Sequence, residues 1–76
     1  MSRCTKLEAA ARNNPAGLTF SEACRLAECI GYTLVRINGS HHIYKRPNSR
    51  DINLQNRKGQ AKEFQVKQIL DIIDGR

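Results

Sequence analysis

The chain has 76 residues, enough for one domain with a thin core, and its 39% hydrophobic content excludes a disordered tail. No apolar run reaches the length of a membrane span, and the first residues lack the apolar stretch and cleavage site of a signal peptide, so a cytoplasmic protein is expected. Thirteen Lys and Arg against seven Asp and Glu give a formal net charge of +6, a balance found more often in polyanion binders than in binders of neutral ligands.

Residues 3–13 read as a short helix, with Leu7, Ala10 and Ala11 at i, i+3 and i+4 and Cys4 one turn earlier. Asn13-Asn14-Pro15 stops it. The three cysteines, Cys4, Cys24 and Cys29, are odd in number and form no C-x-x-C pair, so neither a metal site nor a disulfide framework is expected. They read as small apolar residues of a reducing compartment. Thr19-Phe20-Ser21-Glu22 is a capping box, in which hydroxyl and carboxylate each satisfy the other's backbone donor. The helix it opens carries Ala23, Leu26, Ala27 and Ile30 on one stripe, and Gly31 suits its left-handed C′ position.

Val35 to Arg46 then places Asn38-Gly39 between two runs of β-branched and aromatic residues, a strong hairpin signal. With that pair as the turn, Arg36 faces His41, Val35 faces His42 and Thr33 faces Tyr44. One face then carries Thr33, Val35, Ile37, His42 and Tyr44, and is expected to be core. The other carries Leu34, Arg36, His41, Ile43 and Lys45. A Gly39-Ser40 turn keeps the same two sets.

Pro47 ends the second strand. Asp51 to Gln55 alternates as a third, with Ile52 and Leu54 inward and Asn53 and Gln55 outward. Asn56 to Gln60 is a polar, basic loop. The last helix spans about residues 62–74, with Val66, Ile69, Leu70 and Ile73 on its stripe, Phe64 anchoring its first turn and Gly75 ending it. The order α-α-β-β-β-α predicts an α+β fold, a three-stranded antiparallel sheet with its helices on one face. The other face is left for water or a partner.

On that open face, His41 is expected beside Arg36 and Lys45, and like-charge neighbours disfavour an imidazolium. A neutral imidazole can take a proton, and the cations can hold a phosphate and stabilise added charge on it. The fitting target is RNA, whose 2′-hydroxyl, once deprotonated, attacks the adjacent phosphate without a metal. The plain alternative is a polar histidine on an exposed edge. His42 and Tyr44 read as packed residues of the helix side, His42 using one ring nitrogen for a structural hydrogen bond. Leu34 and Ile43 are either two ordinary exposed aliphatics or a contact patch for a protein. Arg57, Lys58 and Lys62 precede a helix N-terminus, where phosphate contact is plausible but unspecific. There is no P-loop, no dinucleotide fingerprint and no carboxylate cluster for Mg²⁺, so no metal and no cofactor is expected.

Three stretches together, Leu34-Val-Arg-Ile-Asn-Gly-Ser-His-His-Ile-Tyr-Lys-Arg-Pro47, Ile52-Asn-Leu-Gln55 and Lys62-Glu-Phe-Gln-Val-Lys-Gln68, resemble the HicA family at similar spacing. The resemblance runs from about Phe20 to the C-terminus. It implies a double-stranded-RNA-binding-domain-like fold over residues 19–76, with residues 1–18 as an N-terminal helical extension. It implies the toxin of a toxin–antitoxin pair, an mRNA interferase cleaving single-stranded RNA and inhibited by a HicB-type antitoxin. His41, after Gly39-Ser40, takes the place of the catalytic histidine. Arg36, Gly39, Ser40, Lys45, Arg57, Lys58 and Lys62 form the expected RNA-binding set, and Leu34, His41 and Ile43 the expected antitoxin contact. One departure is Glu63, where members often carry proline. The competing expectation is a non-catalytic RNA-binding module or an inactivated toxin, since only one acid/base group is visible.

Overall fold

A computed structural model describes residues 2–76. Helix α1 (Arg3–Asn13) starts at Ser2, whose hydroxyl accepts from Thr5 N–H at 3.2 Å. A single 3₁₀ turn, Pro15–Gly17, leads to helix α2 (Phe20–Cys29), which opens on the capping box. Thr19 Oγ1 accepts from Glu22 N–H at 3.1 Å, and Glu22 Oε1 accepts from Thr19 N–H at 2.9 Å. Gly31 follows at φ +93°, a conformation that costs glycine little. Strands β1 (Thr33–Asn38), β2 (His41–Lys45) and β3 (Ile52–Gln55) come next, then helix α3 (Glu63–Ile73). Glu63 is the first residue of α3, where the N–H has no intrahelical partner, so a proline would serve equally at this position.

The strands pair antiparallel in the order β1-β2-β3. Tyr44, Ile52 and Leu54 turn one sheet face toward the helices. They are buried with Ala23, Leu26 and Ala27 of α2 and Val66, Ile69 and Leu70 of α3, and α1 adds Leu7 and Ala11. Arg12 of α1 clasps Asp74 just beyond α3, Nη2 to Oδ1 at 2.7 Å and Nη1 to Oδ2 at 3.2 Å. Those bonds hold the Asp74 carboxyl below the usual carboxylate range.

Two expectations fail here. Val35 and Ile37 were expected in the core, yet they are 52% and 57% exposed. The helices cover β2 and β3, while β1 is an edge strand with all six residues exposed. The cysteines also differ: Cys4 and Cys29 form a disulfide between α1 and the end of α2, with Cα atoms 5.6 Å apart, and Cys24 stays free. Neither cysteine lies in a motif, so only the packing of the two helices reveals the pair. No helix among the described residues is long and apolar enough to cross a membrane.

Candidate functional site

The β1–β2 turn is Gly39-Ser40, because Asn38 pairs with His41. Of its two residues only Gly39 has positive φ, +63°, the pattern of a type II′ turn. The pairing continues as Ile37 with His42 and Arg36 with Ile43, then breaks at a β-bulge, after which Leu34 meets Tyr44 and Thr33 meets Lys45. Val35 is the extra residue. The bulge shifts everything before it by one and so exchanges its faces. Leu34 therefore turns to the helix side with Tyr44, not to the open face with His41 and Ile43 as expected. Arg36, His41, Ile43 and Lys45 keep the open face.

His41 stands between Asn38 on β1 and Gln55 on β3. Its Nδ1 lies 3.0 Å from Oδ1 of Asn53, which shares the open face one diagonal step away. With Oδ1 rather than Nδ2 turned to the ring, the carboxamide accepts and Nδ1 carries the hydrogen. In a neutral imidazole that leaves Nε2 with a free lone pair. The arrangement is a half-buried imidazole with its orientation set from β3 and its Nε2 pointing away from that bond.

The cations fall differently from the expected flanking pair. Arg36 is opposite Ile43, hence diagonal to His41. Lys45 is four residues along β2, about 13 Å away at strand rise, and its Nζ sits 3.5 Å from Asp51 Oδ2. That ion pair is exposed and contributes little, but it turns Lys45 to the far end of the sheet. Arg46 is structural: it donates to Ile30 O at 2.6 Å and to Ser49 Oγ at 3.0 Å, and it lies over the Tyr32 ring.

The remaining expected cations come from the segment after β3, which is tied to the β1–β2 turn. Asn56 N–H donates to Ser40 O at 2.9 Å, beside the turn. Arg57 and Gln60 exchange backbone bonds of 3.0 Å around Lys58 and Gly59. Both central residues have positive φ, +53° and +84°, a type I′ turn. Gly59 O accepts from Phe20 N–H at 2.9 Å and Leu18 O from Ala61 N–H at 3.1 Å, so the loop is tied to the start of α2 as well. Arg57, Lys58 and Lys62 thus sit on an anchored support. No ion pair engages them or Arg36 among the described residues, which leaves the four available to an anion. Lys62 precedes α3 without a side-chain cap, so no side chain at that position satisfies the first N–H groups of the helix.

His42 packs edge-on against Phe20, ring centroids 4.7 Å apart. Its Nδ1 is buried without a hydrogen-bond partner, against the expected structural bond. With the hydrogen on Nε2, only an acceptor is left unpaired. Burial pushes the Tyr44 phenol well above its ordinary range, in keeping with its place beside Cys24 in the core. Among the described residues no cluster of three or more His, Cys, Asp or Glu side chains is placed to hold a metal.

Sequence reasoning missed Asn53 and Phe64. Asn53 was legible as an outward residue of β3, but its meeting with His41 depends on the β2–β3 register, which no turn motif specifies. Phe64 was expected to anchor α3 and is instead exposed. A family model described as "HicA toxin of bacterial toxin-antitoxin" matches residues 20–74, and α1 lies outside the match. No curated protein and no solved structure matches the chain.

Proposed function

The chain belongs to the HicA family of bacterial toxins, and from that premise we propose that it is an mRNA interferase acting in the cytoplasm with His41 as general base. The supporting observation is the bond from His41 Nδ1–H to Asn53 Oδ1, which frees Nε2 to accept a proton. In this reading Nε2 takes the proton of a 2′-hydroxyl on single-stranded RNA. The 2′-oxygen forms a new bond to the adjacent phosphorus, the bond to the 5′-oxygen breaks, and that oxygen is protonated through water. The products are a 2′,3′-cyclic phosphate and a 5′-hydroxyl. Arg36 is the cation placed to meet the charge developing on the phosphate, and Arg57, Lys58 and Lys62 hold the strand on either side. Gly39 and Ser40 let the backbone of the turn come close to it. Lys45 contributes to the general positive field rather than to the reacting centre.

Residues 19–76 constitute the toxin domain in this reading and residues 1–18 an N-terminal helical extension, although α1 contributes to the same core. A toxin of this family has an antitoxin partner. A HicB-type antitoxin would inhibit by covering the open sheet face at His41 and Ile43, and Leu34 joins that contact only if the partner also wraps the β1 edge.

A second reading, an RNA-binding module without activity, draws on the presence of one acid/base side chain rather than two at the centre. Incubation of the purified protein with single-stranded RNA in EDTA separates the two. Cleavage that survives chelation, leaves cyclic phosphate ends and disappears in His41→Ala is the expected result. Cleavage by His41→Ala at the wild-type rate would remove the base from His41.

A further inference from the structure

Phe64, in the first turn of α3, is 64% exposed, more than Leu34, Val35 or Ile37 on the free edge of the sheet. Its ring lines a cleft of about 540 Å³ together with Arg57, Lys62 and Lys67. Lys62 Nζ is 5.9 Å from the ring centroid. Lys67 is paired with Glu63 at 3.2 Å, while Arg57 and Lys62 have no ion-pair partner among the described residues. An exposed ring with one unpaired cation over one of its faces and a second lining the same cleft matches the combination that binds unpaired nucleotides: the ring stacks on a base through its other face while the cations meet phosphates.

The cleft is linked to His41 through the free edge of β3. Gln55 is the cross-strand partner of His41. Its N–H donates at 2.9 Å to Oε1 of Gln65, a buried side chain that pins the first turn of α3 to the free edge of β3. Phe64 is the residue next to Gln65. Arg57 is two residues beyond Gln55, in the loop anchored to Ser40. His41 and the exposed ring are therefore joined by a short run of paired and hydrogen-bonded residues, with Arg57 in the adjoining loop.

We propose that Phe64 is a stacking platform for a base of single-stranded RNA flanking the cleaved phosphate, with Arg57 and Lys62 on the adjoining phosphates. The proposal rests on the RNA-cleaving reading and adds the subsite that holds a neighbouring nucleotide. A platform of this kind is tolerant of sequence, because every base has a π face.

The test uses the full chain carrying His41→Ala, so that RNA is bound and not cut. The probes are a short fluorescent single-stranded oligoribonucleotide and the same molecule with one abasic position. Phe64→Ala in that background should weaken binding about 5- to 150-fold, the range for loss of one stacked base. The slope of log affinity against log salt should not change, because the ring releases no counterions. Phe64→Tyr should restore affinity, and the abasic probe should bind wild-type Phe64 more weakly but Phe64→Ala no differently. Phe64→Trp would be the only tryptophan in the chain, and its emission should be quenched by RNA. Circular dichroism and the thermal midpoint should stay unchanged, since an exposed ring supports no core. If the background protein binds RNA and Phe64→Ala binds it equally well, the platform falls and the RNA reading stands. If Phe64→Ala loses antitoxin binding and keeps RNA affinity, the cleft is a protein contact and the proposal is overturned. If the background protein binds no single-stranded RNA, both fall.

Discussion

Replacing Asn53 by alanine removes the acceptor that holds the hydrogen on His41 Nδ1. A histidine side chain free in water prefers its hydrogen on Nε2, so the variant should return toward the tautomer whose Nε2 cannot take a proton. A net hydrogen bond contributes about 0.5–1.5 kcal/mol, a shift of about two- to tenfold in the ratio of tautomers. His41 is half-buried, which places the effect in the lower part of that range. The cleavage rate should therefore fall several-fold with RNA affinity unchanged, far short of the 10²- to 10⁴-fold lost when a general base is deleted. Asn53→Asp is the informative partner. Its carboxylate still accepts from Nδ1–H and keeps the tautomer, but it favours the imidazolium. The rate of this variant should rise toward the wild-type value only at higher pH, because the neutral ring is the base. The assay is single-turnover cleavage of an oligoribonucleotide across pH, beside long-range proton–nitrogen NMR of the imidazole in the free protein. The spectrum reports the tautomer whether or not RNA is cut. An Asn53→Ala protein with wild-type rate and an unchanged imidazole spectrum would refute the reasoning.

The uncovered β1 edge predicts unequal costs for similar truncations: Leu54→Ala, at a fully buried site, should lose about 2–5 kcal/mol in urea unfolding, while Ile37→Ala on the exposed edge should stay within about 0.5 kcal/mol. Equal losses would return Ile37 to the core. Ile43→Asp should abolish antitoxin binding in pull-down and calorimetry, whereas Leu34→Asp, on the opposite face of the sheet, should weaken it less; the reverse order would put the interface on the helix side. Reducing the Cys4–Cys29 bond, which closes a separation of 25 residues, should lower stability by about 3.5 kcal/mol on the chain-entropy account. Denaturant midpoints with and without dithiothreitol measure this, and RNA cleavage should persist in the reduced form. The Asp74 carboxyl is held low by Arg12, so its contribution is present above the ordinary carboxylate pKa and is lost as pH falls through the lowered value. Hydrogen-exchange protection of α1, taken relative to the intrinsic exchange rate at each pH, should fall on acidification in the wild type and show no such pH step in Asp74→Asn.

Sequence by itself determined the parts whose physics is local. The Thr19–Glu22 capping box, Gly31 at the end of α2 and the stripe of α3 each involve residues within a turn or two of one another. The period of two in β2 likewise placed His41 opposite in direction to Tyr44, which was enough to single out the candidate base. Alternation reports which side chains share a face, but it does not say how far the helices extend over that face. The tertiary structure decided that α2 and α3 cover β2 and β3 and leave β1 outside, so Val35 and Ile37 carry a core-like pattern on an exposed strand. It also decided the bulge at Val35, since one extra residue moves Leu34 across the sheet without altering composition or spacing. The Cys4–Cys29 bond, the Lys45–Asp51 pair and the Asn53–His41 bond join residues brought together only when helices dock and strands take register. Such meetings depend on long-range packing, and the chemistry proposed for the site rests on one of them.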